Sequence, residues 1–262
     1  MKTFDNESFI LENFSSIKQS EFHCIGNFFK CGGIYLSLKC FSYFHNWVDT
    51  SKSNDPPPDF YNKNLKLMMD VMRFDDSSFI DANGKIQNPI YRRESEIMRR
   101  CFGNDYKNKR NDISCFISVT SGLHGSDDHN FKRYFENFKR TFNKHNKSID
   151  LYCKNHPGYK TVLFLFDEST QYVEVKDEYF LQHSSLEPIT CKPHIPFIDT
   201  KFLSIIESSK TDYVVWQTPY KLLRGEHNKI IKLPRCCIIE RKSIKKKHFT
   251  AYNYDLITSI ER

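Results

Sequence analysis

The sequence predicts an α/β or α+β fold, in which helices flank a mixed β-sheet and the N-terminal region is more helical. Two observations support this expectation. Strongly apolar runs at residues 162–166 and 213–216 are bounded by polar residues, as is typical of buried strands, and a helical pattern precedes each run. A hydrophobic content of 39%, with 15% aromatic residues, is enough for a folded core in a chain of 262 residues.

A proline-rich stretch divides the chain. Residues 1–50 form an N-terminal region of short apolar stretches without a clear period. The next ten residues, 51–60, contain three consecutive prolines that can continue neither a helix nor a central strand, so they are expected to form a linker. Residues 61–262 are then predicted to form the mixed α/β domain, which ends in a basic segment at 229–247.

The secondary structure of the larger region is predicted from apolar spacing and from runs of β-branched and aromatic residues. Leu65, Met68, Met69 and Met72, for example, recur at the spacing of 3 and 4 that indicates one face of a helix. The predicted elements are helices over 61–73 and 92–102, a strand over 112–120, a helix over 130–145, a hairpin of strands 161–166 and 171–175, a helix over 199–208, and strands over 212–217 and 236–239.

The composition excludes several classes of protein. Few glycines and prolines and many aromatic residues argue against a disordered or collagen-like chain. The apolar runs are far shorter than the roughly 20 residues that cross a bilayer, and residues 1–14 lack the pattern of a signal peptide, so no membrane association is expected. The nine cysteines show no two-residue spacing of a metal or redox site, which favours reduced thiols and a cytoplasmic protein.

The positive charge of the chain is concentrated near its C-terminus. Residues 229–247 contain eight basic residues and one acid, which accounts for the whole net charge of +7. Such a segment is typical of a surface that binds phosphate backbones or another acidic partner, and Lys242, Lys245, Lys246 and Lys247 are the expected contacts with DNA or RNA. A solvated surface run is the open alternative.

Two Glu-x-Lys triplets follow predicted strands. Glu174 and Lys176 form the first, and Glu240 and Lys242, with Arg241 between them, form the second. Residues i and i+2 of a strand point to the same face, so each triplet could bring a carboxylate for a hard cation together with a lysine that orients water. A further acid is required, and the candidates are Asp167 or Asp150 for the first triplet and Asp212 for the second.

The first triplet and its neighbouring elements resemble the PD-(D/E)XK nuclease superfamily over residues 92–220. This resemblance implies a metal-dependent nuclease in which Asp167 and Glu174 hold Mg²⁺ or Mn²⁺ and Lys176 orients the attacking water. Glu94 or Glu96 could supply the acid that many members carry on their leading helix. The second triplet is similar to the Glu-Arg-Lys signature of structure-specific excision-repair endonucleases, a branch of the same superfamily.

Other motifs leave two interpretations open. His124 to His129 could ligate Zn²⁺ or Mn²⁺, or form a polar turn that caps the next helix. Arg140 and His145 match the spacing of HEPN ribonucleases, although the strands that follow argue against such an all-helical domain. Aromatic and basic residues alternate over 131–140, as in a base-stacking surface or an ordinary amphipathic helix.

The sequence therefore leads to two functional hypotheses. The first is a nuclease that hydrolyses DNA or RNA with Mg²⁺ or Mn²⁺. The second is a non-enzymatic factor, related to phage or bacterial defence, whose basic C-terminal segment binds nucleic acid or an acidic protein.

Overall fold

A mixed seven-stranded β-sheet forms the centre of the protein. The computed structural model describes residues 7–40, 47–50, 58–103, 129–176, 191–219, 221–224 and 230–260. In spatial order the sheet contains β1 (Phe22–Ile25), β13 (Cys236–Glu240), β10 (Tyr213–Gln217), β7 (Lys160–Asp167), β4 (Leu67–Phe74), β3 (Phe60–Asn62) and β2 (Trp47–Asp49). The predicted mixed sheet is confirmed.

Three parallel strands, β4, β7 and β10, form the middle of this sheet. Their sequences are almost continuously apolar because helices cover both faces and nearly every side chain is buried. β13 then runs antiparallel to β10, and β1 pairs with β13 in parallel. On the opposite side, β3 and β2 extend the sheet in antiparallel order.

Helices pack on both faces of the sheet. α1 (Glu7–Ser15) and α2 (Phe28–Lys39) cover the face that carries Val162 and Phe164, whereas α4 (Phe131–Asn155) and α5 (Thr200–Glu207) cover the face with Leu163 and Leu165. This division follows from the alternation of side chains along a strand. α3 spans Pro89–Phe102.

The remaining strands form three small sheets. β14 (Ile257–Ser259), β8 (Tyr172–Glu174) and β9 (Lys192–Pro193) make a three-stranded antiparallel sheet. β5 (Phe79–Ile80) pairs with β6 (Ile86–Gln87), and β11 (Leu222–Arg224) pairs with β12 (Ile230–Lys232). In the described part of the chain, no helix is both long enough and apolar enough to span a membrane.

Most predicted elements after residue 92 are found near their expected bounds, but α4 continues ten residues beyond the predicted end at 145. Its start is fixed because the Asn130 side chain accepts a hydrogen bond from the backbone N–H of Arg133, at 3.0 Å. The start of α5 is fixed in the same way by Asp199, which accepts from the N–H of Lys201 at 2.7 Å. The strand predicted over 112–120 lies outside the described residues.

Two predicted elements are wrong. The helix expected over 61–73 is instead the pair β3 and β4, joined by a turn in which Lys66 has a φ of 49°. The apolar spacing was misleading because β4 is buried on both faces, so its apolar residues fit a strand as well as a helix. The hairpin of 161–166 with 171–175 is also wrong, since β8 pairs with β14 and β9 and not with β7.

The proposed linker lies largely outside the described residues, which resume at Pro58. The strands on either side of it, β2 and β3, pair with one another in the central sheet. β1 belongs to that sheet as well, so segments of the N-terminal region and of the larger region share one core.

Candidate functional site

Asp167 lies in a buried polar network at the carboxyl end of β7. Its Oδ2 accepts hydrogen bonds from Tyr134 Oη at 2.6 Å and Trp216 Nε1 at 3.0 Å. Its Oδ1 accepts from Ser169 Oγ at 2.6 Å. The residue is 0% exposed, so these bonds replace water around the carboxylate. The carboxyl ends of parallel strands are a common place for ligand sites, but here protein groups occupy the acceptor oxygens.

Lys221 supplies the positive charge next to this carboxylate. Its Nζ donates to Ser169 Oγ at 2.6 Å and to the Thr170 carbonyl at 2.8 Å, and it lies 3.7 Å from Asp167 Oδ2. The ammonium also lies 4.7 Å from the centre of the Tyr134 ring. Burial lowers the pKa of Lys221, and the nearby carboxylates oppose this shift. No sequence pattern indicates this role, since Lys221 belongs to no charged or periodic run.

A second buried acid, Asp76, is held in the same region. Its Oδ2 accepts from Tyr172 Oη at 2.7 Å and from the N–H of Thr170 at 3.2 Å. His129, from the predicted histidine cluster, places Nδ1 3.2 Å from the same oxygen, while residues 124–128 lie outside the described ranges. No group of three or more His, Cys, Asp or Glu side chains within those ranges is arranged to hold a metal ion.

Glu174 and Lys176 lie on and after β8, in the small three-stranded sheet. The Glu174 carboxylate accepts from the N–H of Asn253 at 2.7 Å and lies 3.1 Å from Lys192 Nζ, while Lys176 is exposed. Among the described residues, the hydrogen bonds and ion pair of Asp167 reach neither Glu174 nor Lys176. Asp167, Glu174 and Lys176 therefore have separate surroundings in the structure. The metal site assigned to Asp167 and Glu174 stays a prediction.

Glu240 of the second triplet joins β13 to the start of α2. One oxygen accepts from the backbone N–H of Asn27 at 3.0 Å and from Ser243 Oγ at 2.8 Å, and the other lies 3.0 Å from Lys30 Nζ. These donors lower the pKa of Glu240 to about 2, with the Asn27 N–H as the largest cause. Lys242, the lysine of the same triplet, is exposed and is not among these partners of the carboxylate.

Gly26 allows this close approach. Its φ is 144°, a conformation that residues with a side chain rarely adopt, and a Cβ atom there would lie 2.5 Å from the Cβ of Glu240. The chain can therefore pass from β1 into α2 directly beside Glu240 only because residue 26 has no side chain.

The predicted phosphate-binding lysines follow Glu240 on and between two short 3-10 turns, Arg241–Ser243 and Lys246–His248, with Lys245 directly before the second turn. Lys242, Lys245, Lys246 and Lys247 are all exposed, and we call these four side chains the lysine surface. Within the described residues no ion pair joins any of them to an acid.

The turns that carry the lysine surface are anchored to the core. Ile244, between the two turns, is 8% exposed and belongs to the main apolar cluster. Arg241 Nε donates to the Thr211 carbonyl at 2.7 Å, and His248 Nδ1 accepts the N–H of Lys245 at 3.0 Å. Partial burial and, to a smaller extent, the charges of Lys247 and Lys245 lower the pKa of His248.

Two exposed aromatic side chains begin α2. Phe28 is 61% exposed and Phe29 is 86% exposed, the latter being the most exposed large apolar residue in the described ranges. Neither residue is among the candidates predicted from the sequence. The available signal was two adjacent phenylalanines after a Gly-Asn pair, because Asn is a frequent helix N-cap and residues of the first turn often remain at the surface.

The other candidate residues have structural roles. His145 Nδ1 and Tyr152 Oη both lie 2.6 Å from Asp70 Oδ2, which joins α4 to β4. Burial would raise the pKa of Asp70, but the hydrogen bond and charge of His145 lower it overall. The aromatic residues of 131–140 lie mainly in the core, which confirms the amphipathic-helix interpretation.

The alternative acids also have partners outside a shared site. Asp212 accepts from the N–H of Thr161 at 3.0 Å, and Asp150 pairs with Lys210. Glu96 lies on α3 and is half-buried.

Comparison with known proteins gave no assignment: no protein-family profile, curated protein or solved structure matches this chain.

Proposed function

We propose that the protein binds nucleic acid, DNA or RNA, through the lysine surface. The observation that supports this most is the exposure of all four lysines on and between two adjacent turns, with no acid paired to them among the described residues. Neighbouring cations repel one another, so a cluster of this kind gains free energy when an anion lies across it.

The anchoring of the turns favours binding over plain solubility. Ile244 and the hydrogen bonds of Arg241 and His248 fix the backbone of the turns before any ligand arrives. A prearranged site loses less conformational entropy on binding than a disordered basic tail does. Phosphates that follow one another along a nucleic-acid strand would therefore meet lysines that already lie together.

The salt dependence of binding provides the test. Each phosphate contact with duplex DNA contributes about 0.9 to the slope of log affinity against log salt concentration, so four contacts give a slope of roughly −3.6. The triple variant Lys245→Ala, Lys246→Ala, Lys247→Ala should reduce its steepness by about 2.7. Fluorescence anisotropy with labelled DNA and RNA at several salt concentrations measures this directly.

A matched control removes the same charge from another surface. Lys144, Lys147 and Lys154 are exposed on α4, and their triple replacement by alanine should leave the slope nearly unchanged. Equal effects of the two triple variants would show that net charge alone matters. Wild-type binding to a polyglutamate peptide but not to DNA or RNA would assign the surface to an acidic protein partner. Either result would refute the proposal.

A further inference from the structure

Phe28 and Phe29 leave large aromatic surfaces in water. Burial of a phenylalanine side chain stabilises a protein by roughly 1.5–3 kcal/mol, so exposure of two adjacent rings forgoes a substantial gain. The ring centres lie 6.3 Å apart with planes inclined by 78°. The two rings therefore do not stack face to face on one another.

The backbone that carries the two rings is well fixed. Asn27 caps α2 by accepting the N–H of Lys30 at 3.1 Å, and its own N–H donates to Glu240. The unusual φ of Gly26 sets the direction in which the chain enters the helix. An ordered helical turn thus carries the rings. Little backbone conformational entropy is lost when a ligand contacts them.

The same carboxylate connects the rings to the lysine surface. Asn27, immediately before Phe28, and Ser243, immediately after Lys242, both donate to Oε2 of Glu240. Lys30, which follows Phe29 in α2, reaches Oε1 of the same carboxylate, and its side chain is 52% exposed. The start of α2 and the first of the two lysine-bearing turns therefore meet at Glu240. We call Phe28, Phe29 and the lysine surface together the combined surface.

We infer that this combined surface recognises single-stranded nucleic acid, with unpaired bases stacked on Phe28 and Phe29 while the lysine surface contacts phosphates. The inference rests on the proposed function and specifies its ligand. Base stacking on aromatic side chains needs a base whose flat face is accessible, and bases within a duplex already stack on their neighbours. Lysines contact the phosphates of either form, so the rings alone provide the preference for single strands.

The double variant Phe28→Ala, Phe29→Ala tests this inference. Both side chains are largely exposed, so the variant should fold, which circular dichroism verifies. Its affinity for a fluorescein-labelled 20-nucleotide oligo(dT) should fall about tenfold or more, because stacking on one ring alone contributes a factor of about five or greater. Its affinity for a 20-base-pair duplex should change less than about twofold. Ile86→Ala, at 62% exposure, is the matched control for loss of an exposed apolar side chain and should alter neither affinity.

A second variant reports contact directly. Phe29→Trp keeps an aromatic platform, and stacking of a base should quench its indole fluorescence when oligo(dT) is added but not when the duplex is added. Trp47 and Trp216 are buried and contribute a constant background.

The outcomes separate this inference from the proposed function. Unchanged binding of oligo(dT) by the double variant, or equal losses for oligo(dT) and duplex, would overturn the stacking inference. In either of these cases the proposed function still stands if the triple lysine variant binds both oligo(dT) and the duplex more weakly than the wild type does. Absence of wild-type binding to either form would refute both.

Discussion

Replacement of Glu240 by glutamine tests whether one carboxylate holds α2, β13 and the lysine-bearing turns together. Glutamine keeps the size of the side chain but removes the charge that accepts three hydrogen bonds, from Asn27, Ser243 and Lys30. A fall in pKa from 4.5 to about 2 corresponds, at about 1.36 kcal/mol per pH unit, to at most roughly 3 kcal/mol. Because solvent screens the exposed Lys30 ion pair, we expect a loss of about 1–2 kcal/mol at pH 7.

The pH dependence of this loss follows from the lowered pKa. A carboxylate with a folded pKa below its unfolded value stabilises the fold fully above about pH 4.5, and this contribution disappears as the pH falls towards 2. Urea unfolding at a series of pH values, followed by tryptophan fluorescence, measures the difference. Wild type and Glu240→Gln should differ most at neutral pH and converge near pH 2.

The control for this experiment is Glu136→Gln, which changes an exposed glutamate on α4. Its stability should follow that of wild type across the pH range within about 0.5 kcal/mol. A difference between wild type and Glu240→Gln that stays constant from pH 7 to pH 2.5 would refute the electrostatic explanation. Equal stability at pH 7 would show that the carboxylate does not fasten the helix.

Gly26→Ala should lower the free energy of unfolding by at least about 2 kcal/mol, because alanine is strained at its φ and the added Cβ meets the neighbouring strand; urea unfolding measures this, and near-wild-type stability would contradict it. Lys221→Met should cost about 3–5 kcal/mol, since it leaves the buried Asp167 charge without its cation. The double variant Lys221→Met, Asp167→Asn should lose less free energy of unfolding than the sum of the losses of the two single variants. Strict additivity in this double-mutant cycle would argue against coupling between the two residues. The nuclease hypothesis stays a prediction, under which Glu174→Gln and Lys176→Ala abolish Mg²⁺-dependent cleavage of a labelled oligonucleotide without loss of binding. An inert wild type in both Mg²⁺ and Mn²⁺ would contradict it.

The fold class could be predicted because local patterns determine much of it. The apolar run in β7 and the aromatic face of α4 each require burial, and together they indicate helices packed on a sheet. The pattern failed for β4, where burial on both faces removes the alternation that identifies a strand. It also failed for the partners of β8, because a strand's sequence does not specify which distant strand it meets.

The candidate site was predicted only where it depends on charge in a single segment. The lysines that follow Glu240 are visible as a basic run, but the aromatic part of the surface comes from α2, more than 200 residues earlier. Similarly, the partner of Asp167 is Lys221, which lies after a different strand. Contacts of this kind arise from the strand order of the sheet, which a single sequence does not reveal.

The parallel pairing of β1 with β13 has a consequence for synthesis of the protein. Residues 22–25 leave the ribosome roughly 10–40 s before residues 236–240, at translation rates of about 5–20 residues per second. During that interval the apolar faces of α1 and α2 lack Cys236 and Ile238, which belong to the core they cover. A nascent chain that stalls before residue 236 therefore exposes both an unpaired strand edge and apolar helix faces, the two features that make incomplete chains prone to aggregate.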